Sequence, residues 1–375
     1  MKKCVVVSDS FKGTLSSREI CAIARESVPK IFPGCAVEAI PVADGGEGTV
    51  ACFVEAMGAE PVTVTVQGPF GESVEAVYAR KGTLAIVEMA AAVSLPAAKG
   101  HLDPETASTY GVGQLLRHAV EHGCTELLLG LGGSCTNDGG CGCAAALGTA
   151  FFDADGNRFV PAGGNLQRIA RIDNTETEAL LRNVRITVMS DVLNPLYGPE
   201  GAAYVFAPQK GADADTVVRL DENLRAFDRA LGKAFGRSFA ELPGAGAAGG
   251  MGAGCVAFLG AALRSGIDAV LDAVEFDRRI TGADLVITGE GRIDRQSLGG
   301  KVISGVARRV APTGIPLVVL AGAIGEGAEG AYELGVTAMF GTDREAADFR
   351  QCTVSAAENY RRTLEDVLRL FGSRA

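Results

Sequence analysis

The feature that most narrows the fold is a repeated plan: an apolar run of strand length, a polar or glycine-rich turn, then a helical pattern. Seven runs follow it: "CVVVSDS", "AVEAIPVADGG", "LAIVEMA", "TELLLGLGG", "RITVMSDV", "DLVITGEG" and "IPLVVLAGA". Strands alternating with helices predict an α/β fold with a largely parallel sheet. The near-continuous hydrophobicity of the runs agrees, because a strand covered on both faces has no polar side to alternate with. "QGPFGESVEAVYARKGTLAIVEM" reads differently, as shorter alternating strands with Gly-Pro and Gly-Glu turns, and predicts a local antiparallel piece. This change of style over residues 67–84 marks a candidate domain boundary.

Helical spacing runs through "DADTVVRLDENLRAFDRALGKAFG", with Gly236 as the stop. A second helix follows the glycine- and alanine-rich "ELPGAGAAGG", and "DFRQCTVSAAENYRRTLEDVLRLFG" predicts a C-terminal one. The length of 375 residues exceeds what one core usually serves, so two domains are expected.

Hydrophobic residues at 47% and charged ones at 21% describe a globular chain with a sizeable core. The net charge of −10, with no basic run interleaved with aromatics, argues against nucleic acid and anionic membrane surfaces as partners. An anionic substrate must then be met by placed lysines, arginines or metal ions. "MKKCVVVSDSFKG" is too short in its apolar part for a secretion signal, and no run approaches the ~18 apolar residues of a membrane span. The expected location is the cytoplasm. The ten cysteines contain no CxxC and read as small buried hydrophobes in a reducing compartment. His118 and His122 in "HAVEH" have a spacing that permits zinc but lack the HExxH pattern, so a surface or structural role is expected. Oligomeric state is open, a homodimer included.

In open α/β sheets ligands gather at the carboxyl ends of strands. Acids follow five of the runs there: Asp9, Asp44 with Glu47, Asp138 beside Asn137, Asp191 near Asn194, and Glu290 with Asp294. Any one of these reads equally as a cap or turn former; the repetition is what points to a site. Glycines accompany them in "DGGEGT", "GLGGS", "NDGGCG", "TGEG" and "LGGK", letting backbone N–H groups approach an anion. Carboxylates beside a phosphate would repel it, and Mg²⁺ resolves the conflict because it takes one or two carboxylates together with substrate phosphates. Lys12, Lys210 and Lys301, each beside a glycine, are candidate partners for an anion.

Familiar signatures are missing. "GGK" is followed by Val302 and preceded at the required place by Arg295, so there is no Walker A motif. "GAGAAG", Gly244 to Gly249, matches GxGxxG formally but follows no strand pattern, which leaves a nicotinamide-dependent oxidoreductase with little support and close helix packing, or phosphate contact by the following helix N-terminus, as the better readings. Ser134 lacks the GxSxG elbow. An acidic, glycine-rich, lysine-assisted site suits magnesium-dependent phosphoryl transfer better than redox or acyl chemistry. A non-enzymatic nucleotide or sugar-acid sensor using the same loops is the alternative from another class.

At "DSFKGTLSS", "PVADGGEGT", "GLGGSCTNDGG", "DVLNPLYGPEGAAYVFAPQKGA", "PGAGAAGG" and "TGEGRIDRQSLGGKVISGVA" the chain closely resembles the bacterial type I glycerate kinases, in family order from residue 9 to about 307. It departs from the usual pattern at Cys135 and Ala207, each a small residue standing for another. The resemblance implies ATP- and Mg²⁺-dependent phosphorylation of D-glycerate, leaning to 2-phosphoglycerate over 3-phosphoglycerate. It also implies a discontinuous Rossmann- or flavodoxin-like domain, here residues 1–72 and 283–375, with an α/β domain of residues 73–282 inserted into it and the site in the cleft.

Chemistry suggests the roles. Asp191 is the first candidate for the base that orients the attacking hydroxyl, Asp294 the second. Lys12 and Lys210 suit the charge of the transferred phosphoryl group. The planar fork of Arg292 suits the glycerate carboxylate, with Asn194 and Ser10 beside it. Gly132, Gly133 and Ser134 are expected on the nucleotide phosphates, with Asn137 and Asp138 bounding the site and Gly289 and Lys301 completing it. Asp9, Asp44 and Glu290 remain for Mg²⁺.

Overall fold

The computed structural model describes residues 1–43, 46, 48–98, 100–299, 301–344 and 349–373. The chain forms two compact units: the first is Met1–Asp44, Ala51–Gly58 and Gly266–Ala375, the second Gly45–Val50 and Ala59–Ser265. The last passage into the second unit falls at 58/59 and the return at 265/266, where 72/73 and 282/283 were expected. Strand Glu60–Gln67 pairs along its whole length with Ser73–Lys81 and so belongs with it. On the other side Asp268, Asp272 and Asp277 pair with Arg308 and Arg309 of helix Val302–Val310, which ties residues 266–282 to the first unit.

The first unit is built on a five-stranded parallel sheet in the order Ala36–Pro41, Lys3–Ser8, Leu285–Ile293, Leu317–Ile324, Ala338–Gly341. Numbered along the chain, that order is second, first, third, fourth, fifth, the flavodoxin-like arrangement, with its switch point between Lys3–Ser8 and Leu285–Ile293. Cys4, Val5, Val6 and Val7 are wholly buried, as the unbroken apolar run required. Helix Ser17–Ile31 starts at a capping box in which Ser16 Oγ accepts from the Glu19 N–H and the Glu19 carboxylate accepts from the Ser16 N–H. It packs against helix Phe349–Gly372, where the Tyr360 ring meets Phe11 edge-on at 5.6 Å.

The second unit has a six-stranded mixed sheet, in the order Ala262–Arg264, Arg185–Met189, Glu126–Gly130, Leu84–Glu88, Ser73–Lys81, Glu60–Gln67. The first four strands are mutually parallel and the last two antiparallel. Every one of the seven apolar runs is a parallel strand, and the 67–84 segment lies in the antiparallel edge. A small antiparallel sheet of Arg158–Phe159, Ala150–Phe152 and Arg171–Asp173 is added to this unit. Helix Ala214–Phe235 begins at Asp213, whose carboxylate accepts from the Thr216 N–H, and ends at Gly236 in the left-handed conformation.

"GAGAAGG" turns out to be packing material. Helix Ala247–Leu259 becomes regular only from Met251, after Ala248, Gly249 and Gly250 have passed through positive φ. A Cβ on Gly249 would strike the Thr136 carbonyl and the Asn137 Cα, and one on Gly254 would strike the Gly139 carbonyl. These glycines let the helix lie backbone to backbone against residues 136–140. Gly254→Ala is therefore expected to destabilise the fold by about 2–3 kcal/mol through overpacking against a rigid carbonyl. Gly236→Ala has open space, so only the left-handed conformation costs, about 1 kcal/mol. Urea denaturation of the two variants checks both the size and the order.

Candidate functional site

In the second unit Gly130 is in register with Glu88 on one side and Met189 on the other, and Met189 with Arg264, so four strands end together. From Gly130 the chain enters the glycine-rich loop. The Leu131 N–H donates to the Met189 carbonyl (3.3 Å), the Leu95 N–H to Gly133 (2.7 Å) and the Cys135 N–H to Val93 (3.1 Å). Gly133 remains exposed and Gly132 half-buried, while Ser134 through Gly140 are buried.

Asp138 has no exposed surface and spends its carboxylate inside the loop. Its Oδ2 accepts from the Thr109 N–H (2.8 Å), the Thr109 hydroxyl (2.8 Å) and the Gly142 N–H (3.1 Å), and its Oδ1 from the Gly140 N–H (3.1 Å). Burial raises its pKa above the usual aspartate value, and the four donors oppose that rise. Asp138 thus ties the loop to the start of helix Tyr110–Glu121 and to that of helix Cys141–Leu147.

Lys210 is also internal, at 2% exposure. Its Nζ donates to the Thr136 carbonyl (2.6 Å) and to Ser134 Oγ (3.2 Å), which places it beneath the loop's own backbone. Burial lowers its pKa from 10.5 to about 8, against the pull of Cys135 and Asp138. Between those values the unfolded chain binds more protons at this position than the folded one, so its contribution to stability rises with pH across the window. The stability of the wild type relative to Lys210→Met is expected to increase by about 3 kcal/mol from pH ~8 to ~10.5, read from urea denaturation of both proteins.

Beyond the neighbouring strand, Asp191 is half-buried and its Oδ1 accepts from the Ser265 hydroxyl at 3.2 Å. Asn194 donates from Nδ2 to the Glu200 carbonyl (2.7 Å), and its own carbonyl accepts from the Gly246 N–H (3.0 Å). Its side chain shapes the loop 194–200. Leu193 between them is strongly exposed.

In the first unit the expected residues collect at the switch point. Ser8 is in register with Gly289, so Asp9, just past the end of its strand, and Glu290, within Leu285–Ile293, stand at the same level. Gly289 has no room for a Cβ, which would strike the Leu320 carbonyl. Both carboxylates are buried: Asp9 Oδ1 accepts from the Ser10 N–H (2.7 Å), and Glu290 Oε1 from the Ile303 N–H (3.3 Å) at the start of helix Val302–Val310. Lys301 Nζ stands 4.0 Å from Glu290 Oε2. Arg292 donates from Nε to Asp294 Oδ2 (3.1 Å), while Asp294 Oδ1 accepts from the Ser297 N–H (3.3 Å). Lys12 is exposed on the tight turn Phe11–Leu15. Asp44 lies outside the described residues.

Each unit thus gathers one set: Gly132, Gly133, Ser134, Asn137, Asp138, Lys210, Asp191 and Asn194 in the second, and Asp9, Ser10, Lys12, Gly289, Glu290, Arg292, Asp294 and Lys301 in the first. The partners that shape them, Thr109, Thr136 and Ser265, carry no signal of their own in the sequence, because two of the three are remote from the motifs they serve. The described cysteines are all buried and unbridged. No group of three or more His, Cys, Asp or Glu side chains among the described residues is arranged to hold a metal by itself. His118 receives or gives a hydrogen bond at Tyr78 Oη (3.2 Å) and stacks on His122 at 3.9 Å. No helix of the described residues is long and apolar enough to cross a membrane.

Comparison with known proteins gives these strand-end loops a context. The model of the glycerate kinase family matches residues 4–372. A glycerate kinase of Halalkalibacterium halodurans is 42% identical over 91% of this chain and 90% of its own. The glycerate 2-kinase of Escherichia coli is 41% identical over 90% of each. A crystal structure of a Salmonella typhimurium LT2 protein superposes with a TM-score of 0.89 at 38% identity, covering 99% of this chain and 98% of that one. By sequence across nearly its whole length and by fold, the chain belongs to the glycerate kinase family of phosphotransferase enzymes.

Proposed function

We propose that the protein transfers the γ-phosphoryl group of ATP to the 2-hydroxyl of D-glycerate, with Mg²⁺, giving 2-phosphoglycerate. The observation that carries this reading is that acids and glycines of four of the family's motifs, around Asp9, Gly132 to Asp138, Asp191 and Glu290, stand together at the carboxyl-end side of parallel strands, within a chain 41% identical to a relative named glycerate 2-kinase. Small anionic substrates suit such a place, because loops and helix starts there present N–H donors.

In this reading the half-buried Gly132 and the exposed Gly133 meet the nucleotide phosphates through backbone N–H groups, with the Ser134 hydroxyl beside them. Asp191, oriented by Ser265, accepts the proton of the attacking hydroxyl. Arg292 pairs with the glycerate carboxylate, exchanging its contact with Asp294, and Lys12 is the mobile charge for the transferred group. Asp9 and Glu290 fit Mg²⁺ by donor type, two hard carboxylates on adjacent strands at one level, which is the number this ion commonly takes from protein when phosphates supply the rest. When bound, the ion would neutralise phosphate charge; holding those two carboxylates in place is the work of the Ser10 and Ile303 N–H groups.

The test is ADP release measured with ATP, Mg²⁺ and D-glycerate, each omitted in turn, and phosphorus NMR of the product. Release that needs all three and a single 2-phosphoglycerate resonance are expected. Turnover independent of glycerate overturns the substrate, and a 3-phosphoglycerate signal overturns the regiochemistry.

A further inference from the structure

Buried charges in proteins are normally paired, because an ammonium stripped of water needs a counter-charge. Lys210 has a counter-charge only through space, from Asp138 in the same loop, and none in contact. Both acceptors of its Nζ are neutral, and no carboxylate among the described residues forms an ion pair with it. The acid in the same loop, Asp138, is spent on its four donors. An ammonium has three N–H donors, and two are used.

A second observation points the same way. Thr136 Oγ1 and both amide atoms of Asn137 are buried without a hydrogen-bond partner among the described residues. Buried polar groups left unmatched in a native fold call for a missing partner. They occupy the same few residues that Lys210 holds, next to the exposed Gly133. A positive charge and unspent polar atoms, packed behind a rim of backbone N–H groups, have the composition of an anion site lacking its anion.

We propose that residues 132–137 form an anion subsite whose fixed counter-charge is Lys210, acting through the Ser134 hydroxyl on an anionic oxygen seated at Gly132 and Gly133. The oxygen belongs to a phosphate or to a carboxylate; assigning it to the nucleotide rests on the kinase reading above. Filling the subsite stabilises the charged form of Lys210, so binding above neutral pH draws a proton from solution. The titratable groups that act on Lys210 are Cys135 and Asp138, both from the loop. Burial pushes the Cys135 thiol up to about 11 and so keeps it out of the window. Helix Ala202–Phe206, next to it along the chain, bears no carboxylate, amine or imidazole.

Calorimetric titration of the full-length protein at about pH 8.5, in buffers of different ionisation enthalpy, reads this coupling directly. Three probes are used separately: ADP, D-glycerate and inorganic phosphate. Wild type is expected to take up about 0.7 proton per anion bound, given a lysine mostly neutral before binding and charged after it. Lys210→Met is expected to take up none and to bind about thirtyfold more weakly at pH ~7. Lys210→Arg, if it folds, binds without pH dependence because its charge is permanent. Uptake with ADP and phosphate assigns the oxygen to the nucleotide, and uptake with D-glycerate alone assigns it to the carboxylate. Equal uptake in wild type and Lys210→Met with every probe overturns the subsite. If that happens while wild type still phosphorylates glycerate, the kinase reading stands and this inference alone falls.

Discussion

Asp191→Asn is expected to lower kcat about a thousandfold while the KM values of both substrates stay within about threefold, measured by steady-state ADP release. Loss of a general base typically removes two to four orders of magnitude, and the asparagine is nearly isosteric. Its amide oxygen still accepts from the Ser265 hydroxyl, so the loop keeps its shape while the proposed proton acceptor is gone. The matched control is Asp294→Asn. That carboxylate already accepts from Arg292 and from the Ser297 N–H, so its change should loosen a turn and raise KM for glycerate more than it lowers kcat. A kcat for Asp191→Asn within tenfold of wild type removes Asp191 as the base.

The largest loss of stability is expected from Asp138→Ala, about 4–5 kcal/mol in urea denaturation. The substitution leaves the Thr109 N–H, the Thr109 hydroxyl and the Gly140 and Gly142 N–H groups without their acceptor in a place water does not reach. Each such orphan costs about 1–3 kcal/mol, and relaxation of the loop recovers part of the sum. Asp138→Asn keeps an acceptor for some of these donors and should cost about half as much. Because the effect is on the fold, the melting transition and activity should fall together; a stable Asp138→Ala protein that is merely slow would mean the carboxylate serves the reaction directly.

Much of the fold was legible because burial on both faces leaves a strong mark. The runs at Cys4–Val7 and Leu285–Ile287 cannot be anything but interior strands. Strand Glu60–Gln67 was less visible, since its exposed and half-exposed residues alternate at a sheet edge, and Ala262–Arg264 and Ala338–Gly341 are too short to stand out. Acids at strand ends were equally plain, and so was the lack of a strand before "GAGAAG". What the sequence hid was depth. A lysine or aspartate beside glycines looks like a loop residue at the surface, yet Lys210 and Asp138 are enclosed, because the helix Ala247–Leu259 approaches closely enough through its glycines to seal the loop behind them. The tie between Asp138 and Thr109, 29 positions apart, is one that no local pattern announces.

The interrupted first unit also sets a timetable. Its central strand pair joins Cys4 to Leu285, 281 positions later in the chain (285 − 4). At synthesis rates of about 5–20 residues per second, "CVVV" waits on the order of 15–60 s for that neighbour to leave the ribosome. Strand Ala36–Pro41 can cover one edge of it early, but the other stays open while the second unit is made. An apolar strand with a bare edge is the kind of segment that aggregates. One hydrogen-bonding edge of the first strand therefore stays unpaired through most of the chain's own translation.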